Sequence, residues 1–185
     1  MFSPRLAFFV SRNGTNARSI VNACRVGVLN ADPVLLISNN KHSKALQWVT
    51  EYDELDHMYS RNEMEHLAAL KAYRIHWIIL CGYLSRVGNS IIDEYEKRIV
   101  NVHPSLLPRH GGKGMYGRAV HESVISSGDK WSGFTAHYVS KNYDEGEIIY
   151  QKRIRVLPNE SVESLEQKVR KEEQMFLPHV LSTIL

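Results

Sequence analysis

The stretch Arg98-Ile99-Val100-Asn101-Val102-His103-Pro104-Ser105-Leu106-Leu107-Pro108 joins a short apolar run to two polar side chains placed two residues apart. Alternate residues of a strand share a face, so a strand over Arg98 to Val102 sends Asn101 and His103 out together at its C-terminal edge. Pro104 has no N–H with which to continue the ladder and stops it there. Such edges are where open α/β sheets bind ligands, which makes this one the first candidate site.

Upstream, Trp77-Ile78-Ile79-Leu80-Cys81-Gly82 is apolar throughout, the pattern of a central parallel strand covered on both faces. Leu6 to Val10 and Pro33 to Ser38 read as two further buried strands, and His57 to Tyr59 as a short extended piece. Helical segments separate them. One follows Asn16, carries Ile20, Val21, Cys24 and Val28 inward and weakens at Gly27; others cover Ser43 to Tyr52, begin near Arg61, and run from Ile91 to Lys97. This alternation predicts an α/β fold with a Rossmann-like, doubly wound, mostly parallel sheet.

Beyond His103 the grammar changes. Pro104, Pro108, Gly111, Gly112 and Gly114 mark a long irregular passage, followed by a helix over Ala119 to Ser126 and strands near Gly133 to Val139 and Ile148 to Ile154. These predict an antiparallel C-terminal portion. A last helix places Val162, Leu165, Val169, Phe176, Val180 and Ile184 on one stripe, with Pro178 expected to break or kink it. Glu173 falls inside the stripe, where a carboxylate is costly to bury unless a donor meets it.

At 185 residues the chain fits one domain, residues 1–185, with a full core. Its 43% hydrophobic and 23% charged residues argue against disorder and low complexity. The formal charge of +3 is spread along the sequence, which gives no nucleic-acid footprint but is compatible with a small anionic ligand. Cys24 and Cys81 form no CxxC pair and read as packed thiols. The first apolar run is too short for a signal-peptide core and no run is long enough to span a bilayer, so no membrane partner and a cytoplasmic setting are expected.

The loop Ser11-Arg12-Asn13-Gly14-Thr15-Asn16 feeds a helix, and a Gly-containing turn at a helix N-terminus offers free N–H groups to a phosphate. An ordinary turn with an N-cap is the competing reading. The loop lacks the Gly-Lys-Ser/Thr ending of a Walker A motif and does not match GxGxxG, which speaks against an NTPase or a nicotinamide dehydrogenase. His103, His110, His121 and His137 raise the question of zinc, but no HExxH, Cys pair or matching triplet accompanies them, and a metal-free site is expected. His137 reads as a hydrogen-bonded structural residue. Asp144, in the acidic loop Tyr143 to Glu147, matters chemically if the return strand brings it beside His103, where it could orient the ring, favour its protonated form or shuttle a proton.

The ordered set of Ser11 to Asn16, Ser38-Asn39-Asn40, Cys81-Gly82-Tyr83-Leu84, Asn101 to Pro108, Gly111 to Gly117, and His137-Tyr138-Val139 with Tyr143 to Gly146 resembles the folate-dependent formyltransferase superfamily. The resemblance spans nearly the whole chain and is closest to the branch acting on glycinamide ribonucleotide. It implies transfer of formyl from 10-formyltetrahydrofolate, a co-substrate, to the amine of phosphoribosylglycinamide in purine biosynthesis, without a metal. Asn101 and protonated His103 would stabilise the oxyanion of the tetrahedral intermediate, while Asp144 positions His103 or a water and assists proton movement.

The same resemblance implies that Gly14, Thr15 and Asn16 hold the substrate phosphate and that Glu173 contacts its glycinamide or ribose end. The folate would lie against Leu84, Ser85, Arg86 and Val87, beside Asn101, and against Ser140, Lys141, Asn142, Tyr143 and Asp144, with Arg61 approaching its acidic tail. Two positions depart from the family pattern: Arg12 stands where a glycine is usual, and the order Ser85-Arg86 differs. Methionyl-tRNA and sugar-nucleotide formyltransferases and formyltetrahydrofolate hydrolases share the chemistry, the first and last normally carrying an extra domain. A non-catalytic phosphate-metabolite binding module is the alternative from another class.

Overall fold

The computed structural model describes residues 3–185. Its elements are β1 (Arg5–Val10), α1 (Thr15–Arg25), β2 (Asp32–Ser38), α2 (Ala45–Trp48), β3 (Asp56–Tyr59), α3 (Glu63–Ala72), β4 (Trp77–Leu80), α4 (Asn89–Glu94), β5 (Ile99–His103), α5 (Arg118–Ser126), β6 (Trp131–Tyr138), β7 (Ile148–Arg155) and α6 (Val162–Leu181). The strands form one sheet in the order β3-β2-β1-β4-β5-β6-β7. The first five are parallel, and β6 and β7 run antiparallel, as the change of grammar after His103 predicts.

The apolar runs are explained by burial on two faces. Along β1, Leu6, Phe8 and Val10 pack with Ile20 and Val21 of α1 and Val169 and Leu177 of α6. The alternating Ala7 and Phe9 join Leu70 of α3 and Ile91 and Ile92 of α4 on the other face. Burying each large side chain here stabilises the fold by roughly 1.5–3 kcal/mol, so β1 alone anchors both layers. Strand order reverses at β1, which lies between β2 and β4; the crevice beyond the carboxyl ends of such neighbours is the ligand position of an open α/β sheet.

Five local expectations change. Helix α1 ends at Arg25, and Gly27, at φ 73°, turns the chain so that Leu29 is buried while Val28 is exposed. The segment from Ser43 to Tyr52 holds only the single turn of α2 and a 3₁₀ turn, Val49–Glu51, and α4 stops at Glu94 short of Lys97. Strand β5 extends one residue further than expected, to include His103. Pro178 does not end α6. Proline removes the N–H that would bond the carbonyl four residues back, and that carbonyl, of Gln174, accepts instead from the Ser19 hydroxyl at 2.7 Å. The helix therefore continues to Leu181 without leaving a buried acceptor unmet.

Candidate active site

A cleft of about 580 Å³ opens at the carboxyl edge of the sheet. The loops after β1 and β4, the end of β5, residues 112–117, residues 139–144 and one face of α6 line it. It gathers Gly14, Thr15, Asn16, Leu84, Ser85, Arg86, Val87, Asn101, His103, Ser140, Lys141, Asn142, Tyr143, Asp144 and Glu173. Arg61 stands apart. It lines a shallower groove with Asn39 and Asn40 that meets the cleft at Arg12, Leu84 and Ser85, and its Nε donates to the Asn39 carbonyl at 3.0 Å.

His103 is 4% exposed and lies between two acceptors. Its Nε2 is 2.8 Å from the His110 carbonyl, and its Nδ1 is 3.5 Å from Asp144 Oδ2. Asp144, at φ 56°, also accepts from the Gly112 N–H at 2.9 Å. Burial pushes the His103 ring below its ordinary pKa, against the upward pull of Asp144 and the His110 carbonyl. Burial alone would raise Asp144, but the adjacent His137, the His103 charge and the Gly112 N–H outweigh it and hold the carboxyl below its usual range. The resting pair is thus a carboxylate beside a ring disposed to be neutral, with Nε2–H donated to His110 and Nδ1 able to take a proton.

The antiparallel register sets Asn101 opposite His137 and His103 opposite Thr135. Asn101 Nδ2 donates to His137 Nε2 at 3.1 Å, while His137 Nδ1–H donates to the Tyr138 carbonyl at 2.9 Å, which fixes the tautomer. His137 thereby orients the Asn101 amide and leaves its second N–H for a ligand. It also lies 3.7 Å from Asp144 Oδ1. His137 is thus the hydrogen-bonded residue expected of it, and its partner Asn101 is chosen by the β5–β6 register, which no local motif encodes.

Helix α1 starts at Gly14, whose φ of 61° and whose closeness to Ala45, 2.9 Å from where a Cβ would sit, exclude a side chain. The first intrahelical bond runs from Arg18 N–H to the Gly14 carbonyl, so the amides of Thr15, Asn16 and Ala17 precede the ladder at its positive end. Arg12 lies next to this terminus with its Nη1 3.7 Å from the position of a Gly117 Cβ, adding a cation to the same end of the cleft. Asn16 Nδ2 donates to Glu173 Oε2 at 3.0 Å, the donor that a carboxylate in the α6 stripe requires. Burial nevertheless pushes Glu173 up to about 7, with Asn16 and Arg170 pulling down.

At the other end, Arg86 Nη2 donates to the Lys141 carbonyl at 2.8 Å, and Lys141 Nζ pairs with Asp93 of α4 at 2.6 Å. The unusual Ser85-Arg86 order therefore braces the 140–144 loop. Sequence reasoning passed over Glu166 and Arg170, which line the cleft from α6, and weighed His121 of α5, also in the lining, only as a zinc ligand. Cys81 lines it as well, but burial pushes its thiol up and leaves it unreactive.

A helix N-terminus, a buried carboxyl and an Asn/His/Asp cluster thus face one crevice at the sheet edge. The chain belongs to the formyl transferase family, whose model matches residues 4–181. It is 35% identical over 97% of its length to a chloroplastic phosphoribosylglycinamide formyltransferase of Arabidopsis thaliana and 34% identical, also over 97%, to that of Vigna unguiculata. The chain spans 65% and 60% of those two relatives. The crystal structure of glycinamide ribonucleotide transformylase 1 from Geobacillus kaustophilus superposes with a TM-score of 0.91 and 32% identity, covering 100% of both chains.

Proposed function

We propose that this chain transfers the formyl group of 10-formyltetrahydrofolate to the amine of phosphoribosylglycinamide, yielding the N-formyl product and tetrahydrofolate for purine biosynthesis. The observation that carries the reading is His103 held between Asp144 and the His110 carbonyl, with Asn101 on the same strand edge. The amine nitrogen attacks the formyl carbon and the carbonyl electrons move to oxygen. Asn101 N–H faces that oxyanion, and His103 Nδ1 takes the proton the amine sheds.

Protonation gives His103 a second N–H. At 3.5 Å the Asp144 contact is longer than a formed charge-assisted hydrogen bond, so the new N–H is shared between the carboxylate and the oxyanion. The C–N bond to the folate then breaks, and the departing nitrogen takes the proton from His103, returning the ring to its resting state. The amides of Gly14, Thr15 and Asn16 with Arg12 serve the phosphate, Glu173 the glycinamide or ribose end, and the 84–87 and 140–144 segments the folate, whose acidic tail extends toward Arg61.

None of these steps uses a metal. The two free thiols accord with a reducing compartment such as the cytoplasm. Among the described residues no helix is long and apolar enough to cross a membrane. The test is steady-state release of tetrahydrofolate from 10-formyltetrahydrofolate with and without phosphoribosylglycinamide. Turnover that requires the amine supports the transferase; equal turnover on water alone would make the protein a hydrolase.

A further inference from the structure

The His110 side chain takes no part in the proposed reaction, yet it is almost buried, with 10% exposure. Its Nδ1 accepts from the Ser123 hydroxyl of α5 at 2.8 Å, and its Nε2 donates to Asp129 Oδ2 at 2.8 Å. Asp129, in the turn between α5 and β6, gives its other oxygen to Arg109 Nη2 at 2.7 Å. All polar atoms of the ring are thus engaged. The backbone at His110 is left-handed, φ 56°, a conformation that a residue with a Cβ rarely adopts. That twist aims the His110 carbonyl inward, at 2.8 Å from His103 Nε2.

The neighbouring backbone is tied down in the same sense. Ser105 Oγ donates to the Arg109 carbonyl at 2.7 Å, and Thr135 Oγ1 bridges the Ser105 carbonyl and the Leu107 N–H at 2.6 and 3.0 Å. These bonds hold the 104–109 segment against β6, but none of them sets the peptide plane at His110. The Ser123–His110–Asp129 clamp acts on residue 110 itself, between these bonds and the Gly112 N–H held by Asp144.

We propose that His110 is a positioning residue for His103: its clamped side chain fixes the left-handed carbonyl that holds Nε2–H, and so dedicates Nδ1 to proton transfer. Without the clamp the peptide plane turns, Nε2 loses its acceptor, and the ring distributes between its two tautomers. Only one tautomer has a free Nδ1 to receive the amine's proton. A ring in the other form, or rotated from its place, reacts slowly even with both substrates bound.

The inference rests on the reading of His103 as the proton-handling residue, so its test has one arm that needs no turnover. His110→Gly removes the imidazole while being at ease at positive φ, which separates the clamp from the backbone conformation itself. The expected result is a fall in kcat of about 10- to 100-fold, the scale of a misplaced reacting group, with KM for both substrates within about threefold of wild type. In the ligand-free protein, ¹H–¹⁵N spectra of the His103 ring should change from a protonated Nε2 with an unprotonated Nδ1 to averaged tautomers. Asp129→Asn should move both readouts the same way, and it decides the matter if the glycine variant does not fold. Wild-type kcat in the folded His110→Gly protein, or an unchanged His103 spectrum, overturns the proposal. If wild type itself transfers no formyl group, the proposed function fails and the spectra alone decide the positioning role.

Discussion

Replacing Glu173 by Gln should make the ligand-free protein more stable at high pH while impairing its use of the phosphorylated substrate. The side chain is 8% exposed, and burial lifts its pKa from an ordinary 4.5 to about 7. A raised folded-state pKa means that the folded chain holds a proton the unfolded chain has lost between those values. Stability from this group is therefore complete below about pH 4.5 and is lost as pH rises through about 7. At about 1.4 kcal/mol per unit, the shift corresponds to roughly 3 kcal/mol of destabilisation at pH 8.

Glutamine keeps the shape and can still accept from Asn16 Nδ2, but it carries no charge to bury. With a urea slope of roughly 2 kcal/mol per molar, the unfolding midpoint of Glu173→Gln should exceed that of wild type by about 1.5 M at pH 8. The difference should shrink steadily toward pH 4.5. Urea titrations at five pH values measure it directly. A gap that does not vary with pH, or a variant less stable than wild type at pH 8, would refute the argument that an ionised carboxyl is buried there for function at a cost in stability.

Asp144→Asn removes the charge that pulls the His103 pKa upward, so the acid limb of the kcat profile should move to lower pH while kcat falls about 10²- to 10⁴-fold; a steady-state pH series reads both, and an unmoved limb would detach Asp144 from His103. Arg86→Ala frees the Lys141 carbonyl and should loosen the 140–144 loop, raising KM for the folate about 3- to 10-fold with little change in KM for the phosphorylated substrate. Equal effects on the two substrates would place Arg86's role elsewhere.

The strands and their parallel grammar were legible because each apolar run is buried on two faces, and Asn101 and His103 were legible as a pair because strand geometry alone puts them on one edge. Asp144's approach to His103 required the β6–β7 return, which the sequence suggests only as an antiparallel tendency. The partner of His137 was hidden for a related reason: Asn101 is 36 residues away and is chosen by register. Pro178 misled because its consequence is cancelled by Ser19, 155 residues from the carbonyl it satisfies. The acceptor on His103 is a backbone carbonyl, and motifs record side chains, so that contact left no trace in the sequence beyond an unremarkable histidine. Arg86 looked like a departure from a binding pattern and proves to be a brace, because its partner is again a main-chain oxygen.

The central claim is that the Asn101, His103 and Asp144 edge moves a formyl group from folate to amine. Single-turnover reactions with a ¹³C-labelled formyl donor, enzyme in excess, followed by ¹³C NMR in wild type and His103→Ala, test it most directly. The account predicts that wild type places the label in the N-formyl amide of the glycinamide product. It predicts transfer at least about 10²-fold slower in the variant, with both substrates still bound at near-wild-type affinity. Label recovered as free formate, or transfer at the wild-type rate in His103→Ala, would contradict it.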